Sequence, residues 1–170
     1  MIDTGVSAKK ISTALSSFHV SISDIDAILV SHEHIDHVQS LGTISNKYDI
    51  PVFATSKTWD AMPKQRDKIQ CSNIKKFEIC NTFEINDLTI YPFSIPHDAA
   101  DPCGFNIIKD NKKISIATDL GHMTRTILDN LESSNFILLE ANYDLEILRC
   151  CSYPYRLKTR IAGPNRSSSK

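Results

Sequence analysis

The chain has 170 residues, of which 41% are hydrophobic and 23% are charged, an ordinary composition for one globular domain with a substantial core. No apolar stretch is long enough to span a bilayer, and the first ten residues, MIDTGVSAKK, lack the regions of a signal peptide. We therefore expect a cytoplasmic protein without membrane partners. Five cysteines, an odd number with no CxxC pair, argue against a disulfide framework and predict mostly buried, reduced thiols.

The net charge of −1 conceals two regions of opposite charge. Residues 1–148 carry 13 basic and 20 acidic side chains, whereas residues 149–170 carry six basic side chains and no acidic one. A basic segment of this kind can contact phosphates, although a run of charge is more often a solvated surface.

Hydrophobic spacing predicts alternating helices and strands. An amphipathic helix is expected over residues 7–18, because Ile11, Ala14, Leu15 and Phe18 recur at helical spacing. Short apolar runs predict strands at 27–31, 51–54, 88–95, 104–109, 113–118 and 136–140, and further helices are predicted within 57–67 and at 124–132 and 144–150. This order indicates an α/β protein with mixed layers.

The segment SHEHIDHVQSLG, residues 31–42, contains three of the six histidines of the chain. It follows the apolar run 27–30, and the spacing of Val38 and Leu41 suits the start of a helix, so the cluster is expected on a strand-to-helix turn. Imidazole nitrogens and carboxylate oxygens are ligands that zinc and similar divalent ions favour. The pattern therefore predicts a metal site.

Other polar residues also follow apolar runs, namely Asp3, His97, Asp119 and Glu140. If the ends of these runs meet at one sheet edge, six side chains come together: His32, His34, Asp36, His37, His97 and Asp119. One segment would then bind two ions, and a bridging carboxylate such as Asp119 would hold them about 3.5–4 Å apart, the spacing of two-metal hydrolases.

The string HEHIDH resembles the signature of the metallo-β-lactamase-fold hydrolases. Together with MIDTG, IPHDAADPCGF, IATDLG, LLEANYD and YPYRLKTRI, in this order, it resembles the YycJ (WalJ) family of bacterial metallo-β-lactamase-fold exonucleases, from residue 1 to about residue 165. The resemblance implies an incomplete αββα sandwich with a dinuclear zinc or manganese site on one edge.

The resemblance also implies roles for individual residues. His32, His34 and His97 would bind the first ion, Asp36 and His37 the second, and Asp119 would bridge them, with Asp36 and Asp119 as catalytic carboxylates. Asp3 would orient the metal-binding loop by hydrogen bonding, and Asp98 would act similarly beside His97 or serve as a turn residue. Glu33 is expected to accept a hydrogen bond within the loop, His19 to lie on the surface, and His122 is a weaker candidate for the site.

Three departures from the family pattern bear on function. The family begins upstream of the sequence that matches MIDTG, so we expect a domain over 1–165 that lacks N-terminal strands, followed by a divergent tail, 166–170. Ser167 lies where the GHLSN box of the family supplies a histidine to the second ion, so that ion is expected to bind weakly. Tyr143 replaces the histidine of EANHD and is expected to contact a phosphate oxygen.

The leading hypothesis is a metal-dependent phosphodiesterase, an exonuclease that attacks DNA with a bridging hydroxide. Arg156, Lys158 and Arg160 would contact the phosphate backbone of the DNA. The alternatives are a hydrolase of small esters, thioesters or lactams and a truncated, catalytically weak metal-binding copy. A flavodiiron-type redox protein is disfavoured, because such relatives carry Glu where this chain has His34.

Overall fold

Helices and strands alternate along residues 1–140, the part of the chain that the computed structural model describes. The helices are α1 (Ala8–Ser16), α2 (Ile35–Val38), α3 (Leu41–Tyr48), α4 (Ser56–Ala61), α5 (Pro63–Arg66) and α6 (Arg125–Leu131), with 3₁₀ turns at Ile22–Asp24 and Cys71–Asn73. The strands are β1 (Ile28–Leu29), β2 (Val52–Thr55), β3 (Ile74–Phe77), β4 (Phe83–Ile85), β5 (Leu88–Ser94), β6 (Cys103–Lys109), β7 (Lys112–Ala117) and β8 (Phe136–Leu139).

The strands form two sheets. The first sheet is parallel, in the order β1-β2-β3, and Ile2 adds a parallel bridge to Leu29 beside it. The second sheet has the order β4-β5-β6-β7-β8 and is antiparallel except for the parallel pair β7 and β8. Because β5 and β7 are both antiparallel to β6, the strands β5, β7 and β8 all end at the same edge of this sheet.

Three apolar clusters define four layers. The first packs α1, α3 and α4 against the parallel sheet, around the buried side chains of Leu41, Ile44 and Trp59. The second packs α6 against the other sheet through Phe93 and Ile127. The third joins the two sheets and contains Leu29, Phe77, Ile90, Cys103 and Phe105. The order helix, sheet, sheet, helix confirms the predicted αββα sandwich.

Aromatic packing holds the sheets together where the strands are short. The ring of Phe83 stacks between those of Phe53 and Phe77, at centroid distances of 5.4 and 5.3 Å. Full burial of a phenylalanine side chain stabilises a fold by about 1.5–3 kcal/mol, and of these three residues only Phe77 is buried. Trp59 is fully buried, and its indole N–H donates to the carbonyl of Lys75 at 2.8 Å, which ties α4 to β3.

Most of the predicted elements within residues 1–140 are confirmed, with differences at their ends. The first helix ends at Ser16, before Phe18, because Ser16 and Ser17 bond back to main-chain carbonyls and His19 adopts a left-handed conformation with φ 59°. Phe18 was therefore wrongly placed on the apolar face, since it is 78% exposed.

Other differences also have local causes. The short helix predicted within 57–67 is in fact two helices. The first ends at Ala61, and Pro63 is the first residue of the second, a position that proline favours. The strands β3 and β4 were missed, since IKKF contains two exposed lysines and FEI is only three residues long. Of the thiols in the described part of the chain only Cys103 is buried, and Cys71 and Cys80 are exposed, contrary to the prediction. The predicted helix at 144–150 lies outside the described residues.

Candidate metal centre

The carboxyl ends of four strands deliver polar side chains to one edge of the sandwich. β1 is followed closely by His32, β5 by His97, β7 by Asp119 and β8 by Glu140. Five of the six side chains that the sequence predicted to converge do so, in two groups that share His32.

No helix among residues 1–140 has the length and apolar character needed to cross a membrane.

The first group consists of three imidazole nitrogens. His34 Nδ1 lies 3.0 Å from His32 Nε2 and 3.1 Å from His97 Nε2. Tetrahedral zinc with Zn–N bonds of about 2.0–2.1 Å needs its nitrogen ligands about 3.3 Å apart. The chemistry and spacing of these three donors therefore fit a divalent ion.

The second group consists of His32, His37 and Asp119. His37 Nε2 lies 2.7 Å from Asp119 Oδ2, and His37 Nδ1 lies 2.8 Å from Asp3 Oδ2 on its other side. Both acids have left-handed backbone conformations, with φ 53° at Asp3 and φ 55° at Asp119. The ring of His37 is thus held between two carboxylates.

Hydrogen bonds donated to the Asp3 carboxylate fix the start of the histidine segment. Its two carboxylate oxygens accept from the main-chain N–H of Ser31 at 2.9 Å and from the Ser31 hydroxyl at 2.7 Å. Asp3 therefore makes the orienting contacts that the resemblance implied, and its effect on a bound ion stays a prediction.

The two groups differ in charge. Burial, and then the neighbouring imidazoles of His37, His97 and His34, lower the pKa of His32 to about 3. Burial also lowers the pKa of His97. Burial opposes the charge of His37 as well, but hydrogen bonds to Asp119 and Asp3 outweigh it and raise the pKa of His37 to about 10. The hydrogen bond from His37 in turn lowers the pKa of Asp119.

Asp36 is the one predicted ligand that belongs to neither group. Its side chain is exposed, on the first turn of the one-turn helix α2. Its main chain is enclosed, because a Cβ at position 5 would lie 1.4 Å from the Asp36 carbonyl oxygen, so only glycine fits at Gly5. The roles of Asp36 as ligand and catalytic carboxylate stay predictions.

Three further contacts hold the loops that carry the ligands. Glu33 Oε1 accepts from Ala100 N at 2.8 Å, so Glu33 is a hydrogen-bond acceptor as predicted, but its donor lies on the segment after His97 and not in its own loop. Gly121 N donates to Pro96 O at 2.7 Å, and a Cβ at position 121 would lie 2.7 Å from that oxygen. The main-chain N–H of Asp119 donates to the Glu140 carboxylate.

The sequence did not predict the contacts made by Ser31 and Glu140, although Glu140 belongs to the set of polar residues that follow strands. Asp98, His19 and His122 are exposed, and neither ligand group includes them. The remaining predicted residues, Tyr143, Arg156, Lys158, Arg160 and Ser167, lie outside the described residues.

The chain is similar to curated proteins from two bacteria. The chain is 37% identical over 163 residues to the exodeoxyribonuclease WalJ of Streptococcus pneumoniae and 33% identical over 161 residues to the exodeoxyribonuclease YycJ of Bacillus anthracis. Both alignments cover 95% of this chain but only 61% of the relative. The resemblance predicted from the motifs is thus confirmed, and the chain spans about three fifths of the length of these relatives.

Solved structures and a family model agree on the fold. Zn(2+)-bound PqqB from Methylobacterium extorquens is similar with a TM-score of 0.69 and 17% identity, over 87% of this chain and 58% of that one. The metallo-beta-lactamase fold protein YhfI from Bacillus subtilis is similar with a TM-score of 0.67 and 17% identity, over 84% of this chain and 58% of that one. The family model described as the beta-lactamase superfamily domain matches residues 1–147, and the chain therefore belongs to the beta-lactamase superfamily.

Proposed function

We propose that the chain is a cytoplasmic metal-dependent phosphodiesterase that shortens DNA from an end. The observation that carries the proposal is the pair of ligand groups sharing His32, at a sheet edge in a chain whose relatives are named exodeoxyribonucleases. His32, His34 and His97 would hold one divalent ion. His37 and Asp119, together with Asp36, would hold a second. We propose zinc or manganese for both.

The ions, when bound, supply Lewis acidity that activates water at neutral pH and offsets the charge that builds on the attacked phosphate. Asp119 is the carboxylate best placed to hold and orient the attacking water. It lies 2.7 Å from His37, which lowers the pKa of Asp119 and keeps this carboxylate ionised at neutral pH. His37 orients Asp119, and Asp3 orients His37. Asp36, exposed and one residue before His37, faces solvent from which substrate arrives.

The basic residues near the end of the chain would bind the DNA backbone. Arg156, Lys158 and Arg160 lie in a stretch without acids, and Tyr143 offers a hydroxyl to a phosphate oxygen. Replacing all three basic residues with Gln should weaken DNA binding and flatten its salt dependence by about 0.7–0.9 in log–log slope for each lost contact. Fluorescence anisotropy at several salt concentrations measures both quantities. An unchanged slope would assign these side chains to a solvated surface.

The proposed function is tested by turnover on DNA labelled at its 5′ or 3′ end. Metal-free protein is titrated with Mn²⁺ or Zn²⁺ and incubated with single- and double-stranded substrates. We expect loss of nucleotides one at a time from one end, with His34→Ala inactive and the exposed His19→Gln fully active as a matched control. Hydrolysis of thioesters, esters or lactams but not of DNA would replace the proposal with a small-molecule hydrolase. Bound metal without any turnover would identify a metal-binding copy.

A further inference from the structure

The hydroxyl of Ser31 lies between the two ligand groups. Ser31 is only 3% exposed, and its Oγ lies 2.7 Å from Asp3 Oδ2, 3.0 Å from His32 Nδ1 and 3.4 Å from His37 Nδ1. Its main-chain carbonyl accepts from Cys103 N at 3.1 Å, and its main-chain N–H donates to Asp3. The main chain therefore fixes the position of this residue, and removing the hydroxyl removes only the hydroxyl contacts.

Proton counting assigns a direction to these bonds. A carboxylate only accepts hydrogen bonds, and a hydroxyl has one proton to donate. The Ser31 hydroxyl therefore donates to Asp3 and can only accept from His32, which requires the ring proton of His32 to be on Nδ1. The lone pair of His32 is then on Nε2, the atom that lies 3.0 Å from His34 Nδ1 within the first ligand group.

The same carboxylate oxygen serves the second group directly. Asp3 Oδ2 accepts from His37 Nδ1 at 2.8 Å. A hydrogen bond to one ring nitrogen of a histidine decides which nitrogen is free to bind a metal. One carboxylate thus orients His37 by direct contact and reaches His32 through the serine.

We propose that Ser31 is a positioning residue that extends the hold of Asp3 to His32 and so fixes the ring tautomer of the histidine that both ligand groups share. The consequence for metal binding rests on the proposed function, whereas the tautomer itself is a property of the metal-free chain. Because His32 would be a ligand of the first ion, losing the hydroxyl should weaken the binding of that ion.

The tautomer is measured on metal-free protein at neutral pH by long-range ¹H–¹⁵N correlation of the histidine rings. We expect wild type and Ser31→Thr, which keeps a hydroxyl, to show the Nδ1–H form of His32. Ser31→Ala should move His32 toward the Nε2–H form. The matched control is Ser45→Ala, which removes another buried serine hydroxyl, one that donates to Ile50 O at 2.8 Å. An unchanged Nδ1–H form in Ser31→Ala would overturn the proposal.

Chelator competition measures the consequence for metal. We expect Ser31→Ala to lose about ten- to a hundredfold in affinity, as substitutions behind a metal ligand typically do, with Ser45→Ala within about twofold of wild type. Adding Ser31→Ala to Asp3→Asn should cost much less than the sum of the two single changes. Full additivity would show that Ser31 does not act through Asp3. If wild type binds no metal the proposed function fails, and the tautomer still decides the role of Ser31.

Discussion

The first and second ligand groups share His32 and lie at the same sheet edge, but they present opposite conditions to a cation. Burial lowers the pKa of both His32 and His97, which favours the uncharged imidazole with one nitrogen lone pair free to bind a cation. His37 in the second group holds a proton between Asp3 and Asp119, with a pKa of about 10. The difference shows that carboxylates hydrogen-bonded to a histidine stabilise its protonated form, so that a metal ion has to displace a proton before it can bind.

The largest expected effect comes from removing one ligand from each group. His34→Ala deletes the nitrogen next to both partners of the first group, whereas Asp119→Asn leaves that group complete. We expect both variants to lose activity about a thousandfold or more, because two-metal hydrolysis needs both ions. Elemental analysis after purification without chelator should find the first ion lost in His34→Ala and retained in Asp119→Asn.

The comparison would break if Asp119→Asn emptied both groups. Binding of the first ion would then depend on Asp119, and the two groups could not be treated as separate sites. His19→Gln serves as the control, because His19 is exposed and belongs to neither group.

A second test uses pH. The pKa of His37 is raised to about 10, so this ring is protonated throughout the neutral range and a metal must displace its proton. The pKa of His32 is lowered to about 3, so binding to the first group releases no proton from His32 above about pH 5. Affinity for the second ion should therefore rise about tenfold per pH unit between roughly pH 6.5 and 9.

Calorimetric titration of metal in buffers with different ionisation enthalpies counts the protons released. We expect about one more proton to be released by the weaker ion, which displaces the proton of His37, than by the tighter one. Equal proton release for both ions would remove the proposed difference between the groups.

A smaller effect on metal affinity is expected from the contact between Glu33, which lies between His32 and His34, and Ala100, which follows His97. Glu33→Ala removes the acceptor for Ala100 N and loosens the segment that carries His97. We expect about a tenfold loss of affinity for the first ion, within the range found for residues behind metal ligands. Glu33→Gln keeps an acceptor oxygen and should bind like wild type. If Glu33→Gln were as damaging as Glu33→Ala, the carboxylate charge and not the loop contact would matter.

The smallest effect should come from Asp98→Asn. The negative charge of Asp98 acts to raise the pKa of His97, but its effect is smaller than those of burial, Asp119, His34 and His37, and the side chain is exposed to solvent. We expect less than a twofold change in affinity for the first ion in a chelator competition. A change of tenfold or more would place Asp98 among the groups that orient His97.

The sequence predicted the parts of the centre that follow from strand ends. Apolar runs indicated where β1, β5 and β7 end. Because the carboxyl ends of these strands were expected at one edge of the sandwich, His32, His97 and Asp119 could be predicted to lie together although they span 87 positions of the sequence. The αββα layers came from the motif resemblance, because composition and periodicity indicated only a mixed α/β chain.

Other features depended on contacts that leave no periodic signal. The hydroxyl of Ser31 and the carboxylate of Glu33 act through single hydrogen bonds to main-chain or ring atoms, and both residue types are common in loops. The proton on His37 follows from two acids distant in sequence, Asp3 and Asp119, which only the folded chain places on either side of the ring. Strand β3 was missed because two exposed lysines separate its two apolar residues, Ile74 and Phe77, so its sequence shows no alternation of apolar and polar residues.

Gly5 has a consequence for how this chain can vary during evolution. The carbonyl oxygen of Asp36 occupies the space where any side chain at position 5 would begin. Any substitution of Gly5 would therefore displace α2. The constraint comes from main-chain contact and would persist even if every metal ligand were lost but the loop kept its shape. In a saturation library selected for folding alone, position 5 should remain glycine, whereas the histidines of the centre should drift.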